Sequence, residues 1–223
     1  MQVSGRPASP YGTSHEPPAT GTTTVAWTLL ALIAALVTAL GTVALSLDVD
    51  LPPVNIGDRQ VSLTKNLKAC PLCFYQRTFA FGTLGVLLIG LLTRARRTGA
   101  VGVMALPLAI GGVSIAGFHA WLEYDKKLEC PLGLADIGTA PQQALVALGI
   151  VALLLLIDSF RNSAGGSFGA PTVLLAIILG GAAAFGCIKT VPPLPAAPTQ
   201  PYDAEKQPLD MCRPPYKAPE PQS

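Results

Sequence analysis

The stretch that decides the fold is Val25–Leu47, which reads VAWTLLALIAALVTALGTVALSL. It contains no charged residue, and a helix of this length crosses a hydrocarbon core of roughly 30 Å. A secretory signal is the alternative, but the polar leader before it is long and carries Arg6 as its only Lys or Arg. We therefore interpret Val25–Leu47 as a retained membrane helix.

The composition of the whole chain agrees with this interpretation. Half of the 223 residues are hydrophobic, 13% are charged, and the mean hydropathy is +0.48. Soluble domains carry about 25% charged residues, so the default class is a membrane protein. The net charge of +2 and the lack of a basic patch interleaved with aromatics argue against nucleic acid as a partner.

Further apolar stretches predict an all-α membrane protein with five transmembrane helices. Pro107 and Gly111-Gly112 interrupt the third helix, which a bundle tolerates when neighbouring helices satisfy the freed backbone groups. Gly180-Gly181 in the fifth helix would permit close packing. The stretches after the first are Phe74–Thr93, Gly99–Trp121, Ile137–Ile157 and Pro171–Ile188.

The chain divides into four parts by composition. We expect a disordered leader at 1–24, four apolar helices at 25–160 and a fifth helix at 161–190. The tail at 191–223 holds ten of the 21 prolines. Such a segment is expected to be extended, with polyproline II character.

Loop charges predict the orientation in the membrane. The link at 93–98 holds three arginines and no acidic residue, and Arg161 lies between the fourth and fifth helices. Because arginine-rich links face the cytoplasm, the N-terminus is predicted inside and the C-terminus outside. Four cysteines then fall on the outer side, although the charge argument did not use them: Cys70, Cys73, Cys130 and Cys212.

Residues 70–77, CPLCFYQR, carry the most informative motif. Pro71 predicts a helix start, which places Cys70 at the N-cap and Cys73 in the first turn. Helix N-terminal N–H groups and the guanidinium of Arg77 both favour a thiolate, the species that exchanges with disulfides. Arg77 lies just inside the membrane boundary, where a charge is costly and is a candidate for function.

Other interpretations of these residues stay open. A lone C-x-x-C can be a structural pair or half of a zinc site, to which Cys130, His119 and Cys212 could add ligands. Against zinc, the chain has no second C-x-x-C or H-x-x-H pair and Arg77 would oppose a divalent cation, so we expect no metal. Arg77 itself could be an interfacial, snorkelling arginine.

At this motif the chain resembles the DsbB family, membrane proteins that use quinone to regenerate a periplasmic thiol oxidant. Cys70, Cys73, Tyr75 and Arg77 match the family's pattern, and residues 117–123, GFHAWLE, resemble its third-helix end. The resemblance spans about residues 25–160 and implies a four-helix transmembrane bundle there, to which this chain adds a fifth helix. It implies that Cys70 and Cys73 form the quinone-coupled disulfide, that Cys73 donates electrons to quinone, and that Arg77 binds or polarises a quinone oxygen.

The chain departs from the family in its second cysteine pair. The family usually places both members between the third and fourth helices, but here that loop holds Cys130 alone. Our hypothesis is that Cys130 pairs with Cys212 in the tail; the alternative is that Cys212 is free or purely structural. His119 is a candidate proton acceptor near quinone, although a structural histidine is the more common case. Cys187 is interpreted as a small apolar residue.

The resemblance therefore predicts a quinone-dependent protein-disulfide oxidoreductase in the bacterial cytoplasmic membrane. Its partner would be a thioredoxin-fold thiol oxidant of the DsbA kind, and its cofactor ubiquinone or menaquinone. Two alternatives remain. A protein like vitamin K epoxide reductase also holds C-x-x-C in a quinone-binding bundle, but at the start of the last core helix. A non-enzymatic membrane protein held together by disulfides is the other.

Overall fold

The computed structural model describes residues 21–46, 54–56, 59–61, 67–93, 100–164, 169–193, 196–198, 200 and 209–216. Five helices in this part of the chain are long and apolar enough to cross a membrane, which confirms the predicted all-α membrane fold. Residues 1–20 of the predicted leader and much of the Pro-rich tail lie outside the described residues. Residues 21–24, which were predicted to be part of the disordered leader, instead form the first turn of the first helix. The helices are α1 (Gly21–Ala44), α2 (Pro71–Leu92), α3 (Ala100–Tyr124), α4 (Ala140–Ala164) and α5 (Ala170–Thr190).

The third helix, α3, is the centre of the bundle. It packs against α2, α4 and α5, whereas α1 packs against α4 and α2. Leu87, Leu106 and Leu155, one from each of α2, α3 and α4, are fully buried where these helices meet. Helix α5 packs mainly against α3 and contributes Val173 and Ala176 to the same buried cluster.

Helix α3 is continuous, which corrects the expectation that Pro107 and Gly111-Gly112 interrupt it. A proline removes a single backbone donor, and the helices packed on several sides of α3 hold the remaining turns in place. The glycines instead permit close contact, since a side chain at Gly111 would collide with the ring of Phe79 on α2. Their role in this helix is packing rather than bending.

The contact between α5 and α3 depends on one glycine of the predicted pair. A methyl group at Gly180 would collide with the backbone carbonyl of Pro107 and the side chain of Ile110, whereas at Gly181 it would meet nothing within 4 Å. Small residues allow helix backbones to approach closely inside membranes. Gly180 therefore sets how closely α5 approaches the core.

Gly180→Leu is expected to lower the stability of the folded protein by about 1–3 kcal/mol, the usual cost of overpacking. Thermal unfolding in detergent would measure the loss as a lower Tm. The matched control is Gly181→Leu, because its side chain enters open space. Equal Tm values for the two variants would contradict this account of the α3–α5 contact.

Two short strands that the sequence analysis did not predict lie in the link between α1 and α2. Strands β1 (Val54–Ile56) and β2 (Arg59–Val61) form an antiparallel hairpin in which Val54 lies opposite Val61. At the opposite end of the bundle, the guanidinium of Arg161 lies 5.1 Å from the ring centroid of Trp27. The hairpin link, the start of α2 and the end of α3 thus share one end of the bundle, away from Arg161.

Candidate active site

Cys70 is the N-cap of α2, as the sequence predicted. Its Sγ accepts a hydrogen bond from the backbone N–H of Cys73 at 3.2 Å, and Pro71 occupies the first turn. The two sulfur atoms are 2.7 Å apart and both thiols are free. Cys70 is buried and Cys73 half-buried. The C-x-x-C motif therefore presents two adjacent sulfurs at a helix N-terminus, where a thiolate is favoured.

His119 lies between the two cysteine pairs. Its Nε2 is 3.9 Å from Sγ of Cys70 and 3.5 Å from Sγ of Cys130. The other ring nitrogen, Nδ1, lies 3.2 Å from the amide nitrogen of Gln76. If that amide donates to Nδ1, the ring carries its proton on Nε2 and presents it to the sulfurs. His119 is fully buried, so this orientation is imposed by its neighbours.

Cys130 and Cys212 form a disulfide across 82 residues of sequence, as the hypothesis from the sequence expected. Two backbone hydrogen bonds join Glu129 and Arg213 beside it, at 2.8 and 3.0 Å. The tail is also attached to the segment before α2, where the N–H of Lys68 donates to the carbonyl oxygen of Asp210 at 2.7 Å. Tail residues 209–216 therefore lie between the α3–α4 loop and the start of α2.

The attachment includes an ion pair between the side chains of Lys68 and Asp210, with N and O 2.7 Å apart. The hydrogen bond from Lys68 lowers the pKa of the Asp210 carboxyl, and the same bond raises the pKa of Lys68. Both side chains are largely exposed, so this pair contributes little free energy by itself. The backbone hydrogen bonds and the disulfide hold the tail.

The arrangement brings the two cysteine pairs together. The side-chain ligand atoms of Cys70, Cys73, His119 and Cys212 all lie within 4.8 Å of one another. Cys70 and Cys212 are each only 2% exposed, so their sulfurs are shielded from bulk water. Thiol–disulfide exchange needs a thiolate next to a disulfide sulfur, and this geometry supplies that contact between the pairs.

The pKa of Cys70 is lowered to about 5, chiefly because the thiol of Cys73 donates a hydrogen bond to its sulfur. Burial acts in the opposite direction, and the neighbouring His119 adds a smaller lowering. Because the pKa is depressed, the thiolate of Cys70 is present above about pH 5 and is protonated below it. Cys70 is therefore both a stable thiolate and a good leaving group near neutral pH.

We expect the reduced protein to show a step in ultraviolet thiolate absorbance near pH 5. The step should disappear in Cys70→Ser and move to higher pH in Cys73→Ala, which lacks the donating thiol. Cys187→Ala, which changes a thiol outside the motif, is the control that should keep it. A wild-type protein whose thiols all titrate above pH 7 would contradict the assignment.

Arg77 contacts the end of α1. Its Nη2 donates to Oγ of Ser46 at 2.6 Å, and that hydroxyl donates to the carbonyl oxygen of Leu67 at 2.9 Å. Arg77 is half-buried one helical turn beyond Cys73. These two bonds therefore connect Ser46, at the start of the link between α1 and α2, with Leu67 at its end. The sequence did not indicate this structural role. A guanidinium has five N–H donors, so this bond leaves it able to bind a further acceptor.

Cys130 is half-buried and lines an open cavity of about 520 Å³, whereas Cys212 does not line it. The cavity lies at the same end of the bundle as the other sulfurs. Of the two bridge residues, Cys130 therefore borders the cavity, whereas Cys212 lies beside the start of α2. The cavity is lined by Glu123, Lys126, Leu128, Glu129, Cys130 and Pro215.

Cys187, near the site, keeps the interpretation given from the sequence. It is a free, half-buried thiol packed in the apolar cluster around Cys70 and Cys212, consistent with a small apolar residue. Trp121 is half exposed at the end of α3, and Lys127 lies 4.8 Å over its ring. Such placement is typical of an aromatic anchor at the membrane interface.

Gln76 is the site residue that sequence reasoning missed. It is only 4% exposed, and its contact with His119 joins residues 43 positions apart. The available signal was its position three residues after Cys73, on the same side of an otherwise apolar helix. A buried amide there needs a hydrogen-bond partner, and His119 supplies it.

The family model for disulfide bond formation protein DsbB matches residues 61–147 of the chain. The matched segment is less than half of the chain; it contains the C-x-x-C motif, His119 and Cys130, but neither α5 nor Cys212. No curated protein and no solved structure matches the chain. The C-x-x-C motif lies at the start of the second helix, where Cys70 is the N-cap of α2. In the alternative considered from the sequence, a protein like vitamin K epoxide reductase, the motif would lie at the start of the last core helix.

Proposed function

We propose that the chain is a DsbB-like thiol oxidase relay in the bacterial cytoplasmic membrane. The match to the family model for disulfide bond formation protein DsbB supports this proposal. The relay takes electrons from a thioredoxin-fold thiol oxidant of the DsbA kind and passes them to ubiquinone or menaquinone. The N-terminus faces the cytoplasm, and the cysteines face outward. The observation that carries the proposal is the Cys130–Cys212 disulfide, whose Cys212 sulfur lies within 4.8 Å of the sulfurs of Cys70 and Cys73.

The first step follows from the unequal exposure of the bridge. A partner thiolate attacks Cys130, which lines the open cavity, and forms a mixed disulfide as Cys212 leaves as a thiolate. The second partner thiol then displaces Cys130, so the partner gains a disulfide and the bridge gains two electrons. Since Cys212 is buried beside Cys70, its thiolate is released next to the inner pair.

The second step transfers those electrons within the chain. With Cys70 and Cys73 oxidised, the Cys212 thiolate attacks Cys70 and expels the Cys73 thiolate. Cys130 then attacks Cys212, which restores the bridge and expels Cys70 as a thiolate. The lowered pKa of Cys70 favours that departure, because a more acidic thiol leaves faster. His119 lies close enough to Cys70 and Cys130 to exchange a proton with either sulfur.

The residues near Cys73 fit the chemistry of a quinone. Arg77 offers cationic N–H donors that would stabilise negative charge on a carbonyl oxygen, and Phe74 and Phe81 expose apolar rings along the same helix. A bound quinone would supply a two-electron acceptor that is soluble in the bilayer. Reoxidation joins the Cys70 thiolate and the Cys73 thiol in a disulfide and releases two electrons and one proton. The second proton that a quinol needs comes from another group or from water.

Quinone reduction by the purified chain tests the proposal. A reduced thioredoxin-fold protein and a quinone are mixed with the chain in detergent, and quinone absorbance is followed over time. We expect one quinone reduced per dithiol oxidised, with an unchanged rate in the control Cys187→Ser. Thiol titration in a deletion strain should show the partner shifted to its reduced form. A quinone that stays oxidised would favour the alternative of a non-enzymatic, disulfide-held membrane protein.

A further inference from the structure

We propose that the fully reduced relay is a zinc site whose ligands are Cys70, Cys73, His119 and Cys212. Their four ligand atoms lie within 4.8 Å of one another in the structure, in which Cys212 is still bonded to Cys130. In tetrahedral zinc with Zn–S of about 2.3 Å, ligand atoms are separated by just under 4 Å, so small side-chain movements complete the geometry. Three thiolates and one imidazole form a common structural zinc set.

The site exists only in one redox state. In the oxidised chain, Cys212 is bonded to Cys130 and its sulfur is not a thiolate. A dithiol that reduces this bridge becomes a disulfide itself and leaves thiols on Cys130 and Cys212. Zinc binding then displaces the protons that the ligand thiols still carry. Metal affinity is thus coupled to the reduction of the bridge.

The charges around the site suit a bound cation once the thiols are deprotonated. Three thiolates around Zn²⁺ leave one net negative charge, which the nearby guanidinium of Arg77 complements rather than opposes. The sequence-based expectation that Arg77 would oppose a divalent cation did not include the negative charge of the thiolates. Glu123 and Glu129 line the cavity beside Cys130 together with Lys126, which leaves this lining with one net negative charge.

Gln76 can orient the imidazole of His119 both with and without bound zinc. A metal on Nε2 requires the ring proton on Nδ1, which lies 3.2 Å from the amide of Gln76. Turning that amide over presents its oxygen to Nδ1–H, the arrangement that orients histidines on metals. Bound zinc would hold three relay sulfurs as ligands and stop the exchange until it leaves.

Two serine variants distinguish the loss of a zinc ligand from the loss of the Cys130–Cys212 disulfide. Cys130→Ser and Cys212→Ser both abolish the same disulfide, but only Cys212→Ser removes a proposed ligand. The reduced, purified chain is titrated with Co²⁺, whose thiolate charge-transfer and visible bands report tetrahedral sulfur coordination, and then with competing Zn²⁺. We expect one metal per chain for wild type and Cys130→Ser, and binding at least roughly 100-fold weaker for Cys212→Ser.

Alkylation mapping of the reduced wild-type chain gives a second measurement that needs no variant. Zn²⁺ should protect Cys212 from the reagent while Cys130 and Cys187 still react. Equal loss of metal binding in the two serine variants, equal protection of Cys130 and Cys212, or no uptake by the reduced wild type would each overturn the site. Neither measurement uses quinone or a partner, so the site and the proposed relay can fail separately.

Discussion

Cys73→Ser is expected to lower the rate of quinone reduction by about 1000-fold or more. When residues act as one catalytic unit, removing one of them costs about as much activity as removing them all. Without the Cys73 thiol, the inner pair cannot form its disulfide and electrons cannot leave the chain. Partner oxidation should stop after at most about one equivalent per chain, which the existing bridge can supply. Stopped-flow quinone absorbance and thiol counting measure the two effects in one experiment.

The control for this variant is Cys187→Ser, which removes a half-buried thiol of the same apolar cluster without touching either pair. It should turn over at the wild-type rate. Continued multiple turnover by Cys73→Ser would mean that electrons leave by a route that does not use the C-x-x-C motif. The proposed order of transfer would then be wrong.

Cys212→Ser is expected to stop the relay at an earlier point. The partner can still bond to Cys130, which lines the cavity, but the inner pair no longer receives a thiolate from Cys212. Turnover should fall by about 1000-fold, as for other members of a unit. A mixed disulfide between Cys130 and the partner should form when the two are joined under mild oxidation, and non-reducing electrophoresis would detect it.

The matched variant is Cys130→Ser, which breaks the same bridge. It should lose turnover equally but trap far less partner, since the remaining Cys212 is only 2% exposed. Equal trapping by both variants would show that the bridge does not distinguish its two sulfurs, and would contradict the direction of attack proposed above.

The sequence predicted the helices and the motif because both depend on local patterns. Runs such as Val25–Leu47 are apolar over a membrane's thickness, and Pro71 marks the helix start that makes Cys70 an N-cap. The Cys130–Cys212 bridge could be predicted for a different reason. The family resemblance required a second cysteine pair, and the predicted topology left Cys212 as the remaining cysteine on the outer side that could pair with Cys130.

The contacts that the sequence could not predict are those between distant segments. The bond from Arg77 to Ser46 and the contact of Gln76 with His119 join different helices, and no periodic pattern encodes them. Helix α3 is continuous where Pro107 favoured an interruption, because packing from its neighbours outweighs a single lost donor. The short hairpin of β1 and β2 lies in a polar link without a strong strand pattern.

The account depends most on the meeting of the two pairs, and the double variant Cys73→Ser/Cys130→Ser tests it directly. This chain keeps Cys70 and Cys212, each without its usual bonding partner, together with Cys187. Peptide mapping without reductant, on protein oxidised in its native membrane, should find Cys70 bonded to Cys212 and Cys187 free. Cys70 and Cys212 that both remain thiols, or a Cys212 bonded to Cys187 instead, would contradict the relay.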